Sequence, residues 1–451
     1  MDGGRMLKSH CFRRDYFTQR IQEMKSPVFF SAIRIFLAGC LAACALGVSR
    51  VQAQGNYTWR DCLEEAKEHH PDLLSAREGI HQTQADKGIT AGGLFPQVSG
   101  NFAGTSSQKA SSDPAENYSY GITGSQLLFD GFKKVHQVKE SEQAIVAETF
   151  RYMVTSSNVR LRLRKAFIEI LKEQELLEIT DEIAKRRHES VELVQLRYDA
   201  GREHKGALLQ AQANLAQAQA DAAQAGRSIS LAQRRLGKEL GRSRFEAMQA
   251  RGDFEVADPQ RQLPEFEFLA ETTPFLKELM ARQEAARHGL RSAKADYFPE
   301  VFANADMSRS ETRWPPGDEA WSVGVKVTLP FWDGGIRRGT LRKAESVLTQ
   351  AQAEERGGRD GVTLILHETW ARHQDALDNV EVQRKFLESA EARAKISEAQ
   401  YSNGLILFDD WIIIEDTLVR VKKDFIEAQA NALITEADWV QAKGGTLENE
   451  Y

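Results

Sequence analysis

"TLPFWDGGIRRG" (Thr328–Gly339) closes an apolar strand, passes through Asp333-Gly334-Gly335 and opens a basic, polar helix. "SQLLFDGFKK" (Ser125–Lys134) runs through the same order of events earlier in the chain. Other matches fall at the same spacing. Pro71 pairs with Pro274, Phe95-Pro96 with Phe298-Pro299, Gly121 with Gly324, and Tyr198 and Gly201 with Tyr401 and Gly404. Each pair is 203 residues apart, as in 274 − 71 and 404 − 201. A constant offset without insertions marks an internal duplication, so the strand-to-helix switch belongs to each half.

Both halves predict one series of elements. A first helix covers Trp59 to about Gly92 and again Pro274 to about Tyr297, with Leu73, Ala76, Ile80 and Leu276, Leu279, Met280 at helical spacing. A strand pair follows. Trp321, Val323, Val325, Val327 and Leu329 alternate with Ser322, Gly324, Lys326 and Thr328. Tyr118, Tyr120 and Ile122 alternate with Ser119, Gly121 and Thr123 in the same way. The partner strands are 97–108 and 300–308, joined through "SSDPAEN" and "ETRWPPGDEA", which carry turn residues.

From Phe132 to Tyr198 there is neither Pro nor Gly. At ~1.5 Å per residue that helix is about 100 Å long. Gly335 to Tyr401 repeats it, with Gly339, Gly357, Gly358 and Gly361 as weak points. Gly201 and Gly404 suit the turns into return helices, Ala207–Leu240 and Asp409–Lys443. Leu163, Phe167, Ile170, Leu171, Leu177, Ile179 and Ile183 recur at spacings of three and four, a seam that needs neighbouring helices along its length.

The N-terminal segment Met24–Gly55 reads as a secretory signal. Lys25 and Arg34 are basic, and Ile35–Val48 is apolar but too short to span a bilayer comfortably. Cleavage is expected between Ala53 and Gln54, with Met24 as an alternative start. Leu37–Cys40 and Leu41–Cys44 each fit a lipidation box, which leaves a lipidated Cys40 or Cys44 as the rival terminus. Residues 1–53 hold eight Lys/Arg and three Asp/Glu, so the remainder of a chain of net charge −6 carries −6 − 5 = −11. That acidic balance gives no basis for a nucleic-acid partner. Only Cys62 stays in the mature chain, and one thiol makes neither an internal disulfide nor a cysteine metal cluster. No cofactor or metal is expected.

Four amphipathic strands are too few to close a membrane barrel, whose usual minimum is about eight. Oligomerisation solves this, since three copies give about twelve strands. Tyr118, Tyr120, Phe129, Trp321, Phe331 and Trp332 are candidates for an interfacial aromatic girdle.

The duplicated "LFDG"/"FWDG" switch, the "FPQV"/"FPEV" entry to the strands and the Tyr-x-x-Gly hairpin tips resemble those of the TolC-like outer-membrane efflux proteins, over essentially the whole mature length. The resemblance implies a mixed α/β membrane protein. Its fold would be a trimeric duct in which four β-strands per chain build a shared twelve-stranded barrel above a long periplasmic α-helical barrel. Residues 1–53 are then the signal peptide, 54–241 the first repeat, 242–272 an inter-repeat equatorial segment, 273–443 the second repeat and 444–451 a C-terminal tail. The implied function is an outer-membrane export channel extending into the periplasm. A homotrimer would work with a periplasmic adaptor and an inner-membrane pump, in efflux of small molecules or type I secretion of proteins. The rival class is a periplasmic coiled-coil adaptor or scaffold, but such proteins carry one helical hairpin and no tandem repeat. No catalytic constellation is present, so an enzyme is not expected, and His69-His70 reads as a surface pair.

In the resembling family the second-repeat hairpin tip closes the periplasmic mouth with tyrosine, arginine and aspartate. Tyr401 and Asp410 match those positions. Ile406 stands where an arginine is expected, Ile413 where a second aspartate is, and Ala207 replaces an acidic residue in the first repeat. Tyr401, Ile406, Asp409 and Asp410 are therefore the candidate gate. Asp409 and Asp410 also fit simple charge capping of the last helix. The turns carrying Gly201, Arg202, Gly404 and Leu405 are the candidate adaptor contacts.

Overall fold

The computed structural model describes residues 55–108, 114–254, 256 and 262–449. The expected cleavage position at Ala53 and Gln54, like Cys40 and Cys44, lies outside them. In the first half, helices α1 (Trp59–His69) and α2 (Pro71–Gly92) lead to strands β2 (Gln97–Ser107) and β3 (Ala115–Phe129). Helices α3 (Lys133–Asp199) and α4 (Lys205–Glu239) follow. Short strands β1 (Gly55–Tyr57) and β4 (Met248–Ala250) form a two-stranded sheet of their own. In the second half, α5 (Phe266–Thr272) and α6 (Pro274–Ala295) lead to β5 (Glu300–Glu311), β6 (Glu319–Thr328), α7 (Ile336–Ser402) and α8 (Phe408–Ala442).

The duplication is exact in three pairs of helices. Adding 203 to the ends of α2, α3 and α4 gives the ends of α6, α7 and α8. The first helix of the first half differs from the single run expected. Pro71 has no backbone N–H and takes the first position of α2, so the helix breaks at His70. His70 is extended, at φ −68° and ψ 123°, and its Nδ1 accepts from the Asp72 N–H at 3.1 Å. Thr273 and Pro274 repeat the break between α5 and α6. His70 is therefore not a surface residue. It is 5% exposed and its Nε2 lies 3.5 Å from Glu239, while His69 stays on the outside.

The four glycines expected to weaken α7 do not interrupt it. At Gly358 a side chain would collide with Leu279 of α6, so the glycine sets a close helix-helix approach.

The four long strands form one antiparallel sheet in the order β2-β3-β5-β6. The two hairpins share a register: Gln97 faces Ser125, and Glu300 faces Thr328, each position 203 further on. One face of the sheet is polar, with Ser99, Thr123, Asp306 and Ser322 in a row across all four strands. Thr123 Oγ1 donates to Asp306 Oδ2 within that row at 2.8 Å. The other face carries Phe102, Ile122, Met307, Trp321, Val323, Val325 and Val327, all exposed. β2 and β6 are the unpaired edges. No helix among the described residues is long and apolar enough to cross a membrane.

The "DG" motif explains the turn from sheet to helix. Gly131 and Phe132 are both left-handed (φ 68° and 65°), as are Gly334 and Gly335 (φ 66° and 93°). Two such residues in succession swing the chain out of the strand, and glycine takes that region without a Cβ penalty. The aspartate before them then reaches forward. Asp130 Oδ2 accepts from the Lys134 N–H at 2.8 Å, and Asp333 Oδ2 from the Arg337 N–H at 3.0 Å. Each aspartate satisfies one first-turn donor of a 67-residue helix.

The largest core lies halfway along α3. Leu163, Phe167, Ile170 and Leu171 pack there with Cys62, Leu63, Leu236, Met248 and Leu447. The C-terminal tail is part of it, since Glu448 accepts from Ser156 Oγ at 2.6 Å and from Tyr152 Oη at 2.9 Å.

Candidate functional site

The two helical hairpins, α3/α4 and α7/α8, end in matched turns. Arg202 N–H donates to Arg197 O and Gly201 N–H to Tyr198 O, at 2.8 and 2.9 Å. Leu405 N–H donates to Gln400 O and Gly404 N–H to Tyr401 O at the same two distances. These paired bonds close the last carbonyls of each long helix around a glycine of positive φ, 65° at Gly201 and 75° at Gly404.

The tips are packed together by Tyr401, which is fully buried. Its ring stacks on Trp411 of α8 with centroids 4.5 Å apart and planes 9° apart, and meets Phe408 edge-on. Val194, Ala207, Leu208 and Ala211 from the first hairpin complete the cluster, with Ile412 from the second. Ile406 is half-buried against it.

Polar contacts then bind the two tips. The Tyr401 hydroxyl donates to Glu203 Oε2 at 3.1 Å. Arg197 Nη1 donates to the Tyr401 carbonyl at 2.7 Å, and its guanidinium lies 4.5 Å from the centre of the Tyr401 ring. A cation on a last-turn carbonyl also complements the negative end of α7. Arg197 Nε makes no hydrogen bond and sits 4.0 Å from Glu203. Burial, then the Glu203 charge, push the Tyr401 phenol above its ordinary value.

A second set of contacts continues away from the tip along one stripe of α8. Arg186 Nη2 reaches Glu415 at 3.2 Å and Arg187 Nη2 reaches Asp416 at 2.6 Å. One further turn pair on, Lys422 bonds Glu182 at 3.1 Å and Lys423 bonds Asp221 of α4 at 2.7 Å. Glu415 is buried, and burial raises its carboxyl above the usual range against the pull of Arg186 and Arg187.

Of the residues expected at the gate, the structure brings Tyr401 and Ile406 into this cluster. Asp409 and Asp410 are exposed in the first turn of α8. That helix has no side-chain cap, so the two aspartates act on its N-terminus through charge alone. Leu405 and Leu407 are exposed at the turn. Ile413 is exposed as well. Sequence reasoning missed Arg197 and Glu203. Both come from the first hairpin and contact Tyr401, and neither stands at a position the resemblance pointed to.

The family model for outer membrane efflux proteins matches residues 62–242 and 269–445. The chain is 20% identical over 388 residues to the outer membrane efflux protein BepC of Brucella suis, covering 84% of each protein. It is 22% identical over 417 residues to the outer membrane protein TolC of Vibrio cholerae, covering 87% of this chain and 92% of that one. The crystal structure of the Campylobacter jejuni CmeC outer membrane channel superposes with a TM-score of 0.76 at 15% identity, over 90% of this chain and 92% of that one.

Proposed function

The chain belongs to the outer membrane efflux protein family, and on that footing we propose that three copies form an export duct latched at its periplasmic end by Tyr401, Glu203 and Arg197. The protein is an outer-membrane export channel, and its helices extend from the membrane into the periplasm. The trimer reading is supported by a four-stranded sheet with an apolar face and two open edges. Open edges are not tolerated in hydrocarbon, and four strands cannot close on themselves. The polar row through Thr123 and Asp306 then lines the pore.

The latch is the observation that carries the rest. At its tip the second hairpin is held to the first by the Tyr401 cluster and a stripe of ion pairs, a contact that can be broken without opening the turn of either hairpin. Releasing it lets α7 and α8 swing relative to α3 and α4 and widens the mouth. A periplasmic adaptor is the partner that would meet the turns at Gly201, Arg202, Gly404 and Leu405, and an inner-membrane pump would supply the cargo. In this reading the described residues of segment 242–272 and of the tail, up to residue 449, form the equatorial collar around the middle of the helices. The chain does no chemistry of its own in this reading. A coiled-coil adaptor is disfavoured by the second hairpin and the four membrane strands.

Planar-bilayer recording tests this. Purified protein should give discrete, small conductance steps, and Tyr401→Phe should enlarge them. Insertion without any conductance, in wild type and variant alike, would sink the duct reading.

A further inference from the structure

We infer that the gap between the end of α8 and the start of α6 is a binding site for small, uncharged aromatic molecules, one in each chain. The site stands on the chain's own geometry. That it faces the lumen rests on the duct reading above.

The gap is a cavity of about 270 Å3. Its apolar wall is Val154 of α3, Pro274 and Phe275 of α6, Val362 and Ile365 of α7 and Ala442 of α8. No charged side chain lines it, in a chain of which 27% is charged. The polar side chains at its edge already have partners. Gln441 Nε2 donates to Asn158 Oδ1 at 3.0 Å, Ser157 Oγ to the Gln441 carbonyl at 3.5 Å and Thr273 Oγ1 to the Ala270 carbonyl at 2.7 Å. A charged ligand loses water there and gains no opposite charge. An uncharged ring meets no such cost and buries apolar surface.

The duplication shows the same junction when it is filled. Subtracting 203 from Phe275, Ile365 and Ala442 gives Asp72, Arg162 and Glu239, where α2 and α4 meet beside α3. There Arg162 donates to Asp72 and, at 3.1 Å, to Glu239. The backbone frame is common to both halves. Gly241 and Gly444, each of positive φ, let the chain leaving α4 or α8 pass close against His69 or Pro274. Where the first half holds a planar guanidinium between two carboxylates, the second has apolar walls around a cavity. A cavity of about 150 Å3 lined by Leu, Ile and Phe takes up benzene. The larger one admits two fused rings, and Phe275 gives them an aromatic neighbour.

α3 fixes the side on which the cavity lies. Ser156 bonds the tail, through Glu448 and the Leu447 N–H. Val154 and Asn158 stand two residues to either side of Ser156, about 200° round the helix. The cavity is therefore on the face of α3 turned away from the tail. The tail belongs to the outer collar in the duct reading, so that face is the lumen. Phe275 and Ile365 both reach solvent, which leaves the cavity open to a ligand. Uncharged aromatic cargo would pause there on its way out.

Equilibrium dialysis of the purified protein against labelled naphthalene tests this, with detergent alone as the blank. Wild type should show one saturable site per chain. Naphthalene-2-sulfonate, which adds a charge to the same rings, should bind roughly tenfold more weakly or less. The Ile365→Arg, Ala442→Glu double variant copies the filled junction and should lose saturable binding. Ala442→Phe fills the cavity by bulk and should lose it too. Absence of saturable binding in wild type overturns the inference. So does sulfonate binding as tight as naphthalene binding, or undiminished binding in a variant of native mass. Should both variants fail to fold, the two ligands on wild type decide. Binding to dissociated single chains alone would mean that a neighbouring copy fills the cavity, and overturns it as well. Bilayer conductance is a separate reading. Protein that conducts without binding naphthalene keeps the duct and loses the site, and protein that binds without conducting keeps the site and loses the duct.

Discussion

The Tyr401 hydroxyl donates to Glu203 at 3.1 Å across 198 residues of sequence, so the tip of the second hairpin is held by the tip of the first. Each hairpin is closed by its own turn bonds. The bond between them therefore holds the relative position of two finished elements. That is what a latch requires.

Tyr401→Phe keeps the stack on Trp411 and removes only the bond to Glu203. A hydrogen bond to a charged group contributes about 1.5–3 kcal/mol. The variant should raise single-channel conductance and speed hydrogen exchange at the tip, with the strands unchanged. Tyr401→Ala also empties a buried site and should cost about 3–5 kcal/mol by denaturant titration. Unchanged conductance in both would place the gate elsewhere.

Alkaline pH should act on the same bond. The folded protein holds the Tyr401 proton more tightly than an exposed phenol does. Its contribution is therefore complete below the ordinary tyrosine value of about 10 and is lost as pH rises through the higher folded value. Wild-type conductance should climb above about pH 10. Tyr401→Phe should lack that step, and an identical climb in both would assign it to another group.

The two neighbouring arginines should differ. Arg186→Ala strands the buried carboxylate of Glu415 and should cost about 1–3 kcal/mol. Arg187→Ala releases Asp416, whose side chain is 61% exposed, and should cost less than about 1 kcal/mol on that account. Thermal denaturation of the two variants side by side reads the difference, and equal losses would mean that the ion pairs do not control the seam.

The duplication and the type of each long element were legible in the sequence, because a fixed offset carries turn glycines, prolines and alternation together. The latch was not. Shifting Arg197 and Glu203 by 203 gives Gln400 and Ile406, so the contact breaks the repeat and no internal comparison points to it. His70 was misread for a related reason. Its burial comes from Glu239 and the end of α4, a contact no local pattern contains. The helix break at Pro71 was in the sequence and follows from its missing N–H. Tyr401 was found, but through family resemblance, and its 0% exposure makes it a packed anchor as well as a tip residue.

Asp410→Ala separates pore electrostatics from helix stability. The Asp410 side chain caps no backbone group, so only the helix-dipole contribution is at stake, about 0.3–1 kcal/mol. Three copies of Asp409 and Asp410 around one axis should favour cations. The variant should lower cation preference and divalent-cation block with little loss of thermal stability. Wild-type selectivity with a clear fall in melting temperature would leave only the dipole role.

Acid should loosen the seam between α3 and α6. His136 and His288 stack there with ring centroids 5.8 Å apart, and neither Nδ1 has a hydrogen bond. Burial lowers both, helped by Arg291 and Lys139 and opposed at His288 by Glu284 and Glu142. The stability from the neutral pair is present above the ordinary histidine value of about 6.5 and is lost as pH falls through the lower folded values. The His136→Gln, His288→Gln double variant should lose less stability than wild type between about pH 6.5 and 5. Parallel losses would exclude the pair.

The most direct test of the account is the native mass of the protein extracted from outer-membrane fractions in mild detergent. Four strands with two open edges cannot form a pore alone. The account expects a complex of three chains and no stable single-chain species. A stable monomer that still conducts ions would contradict it.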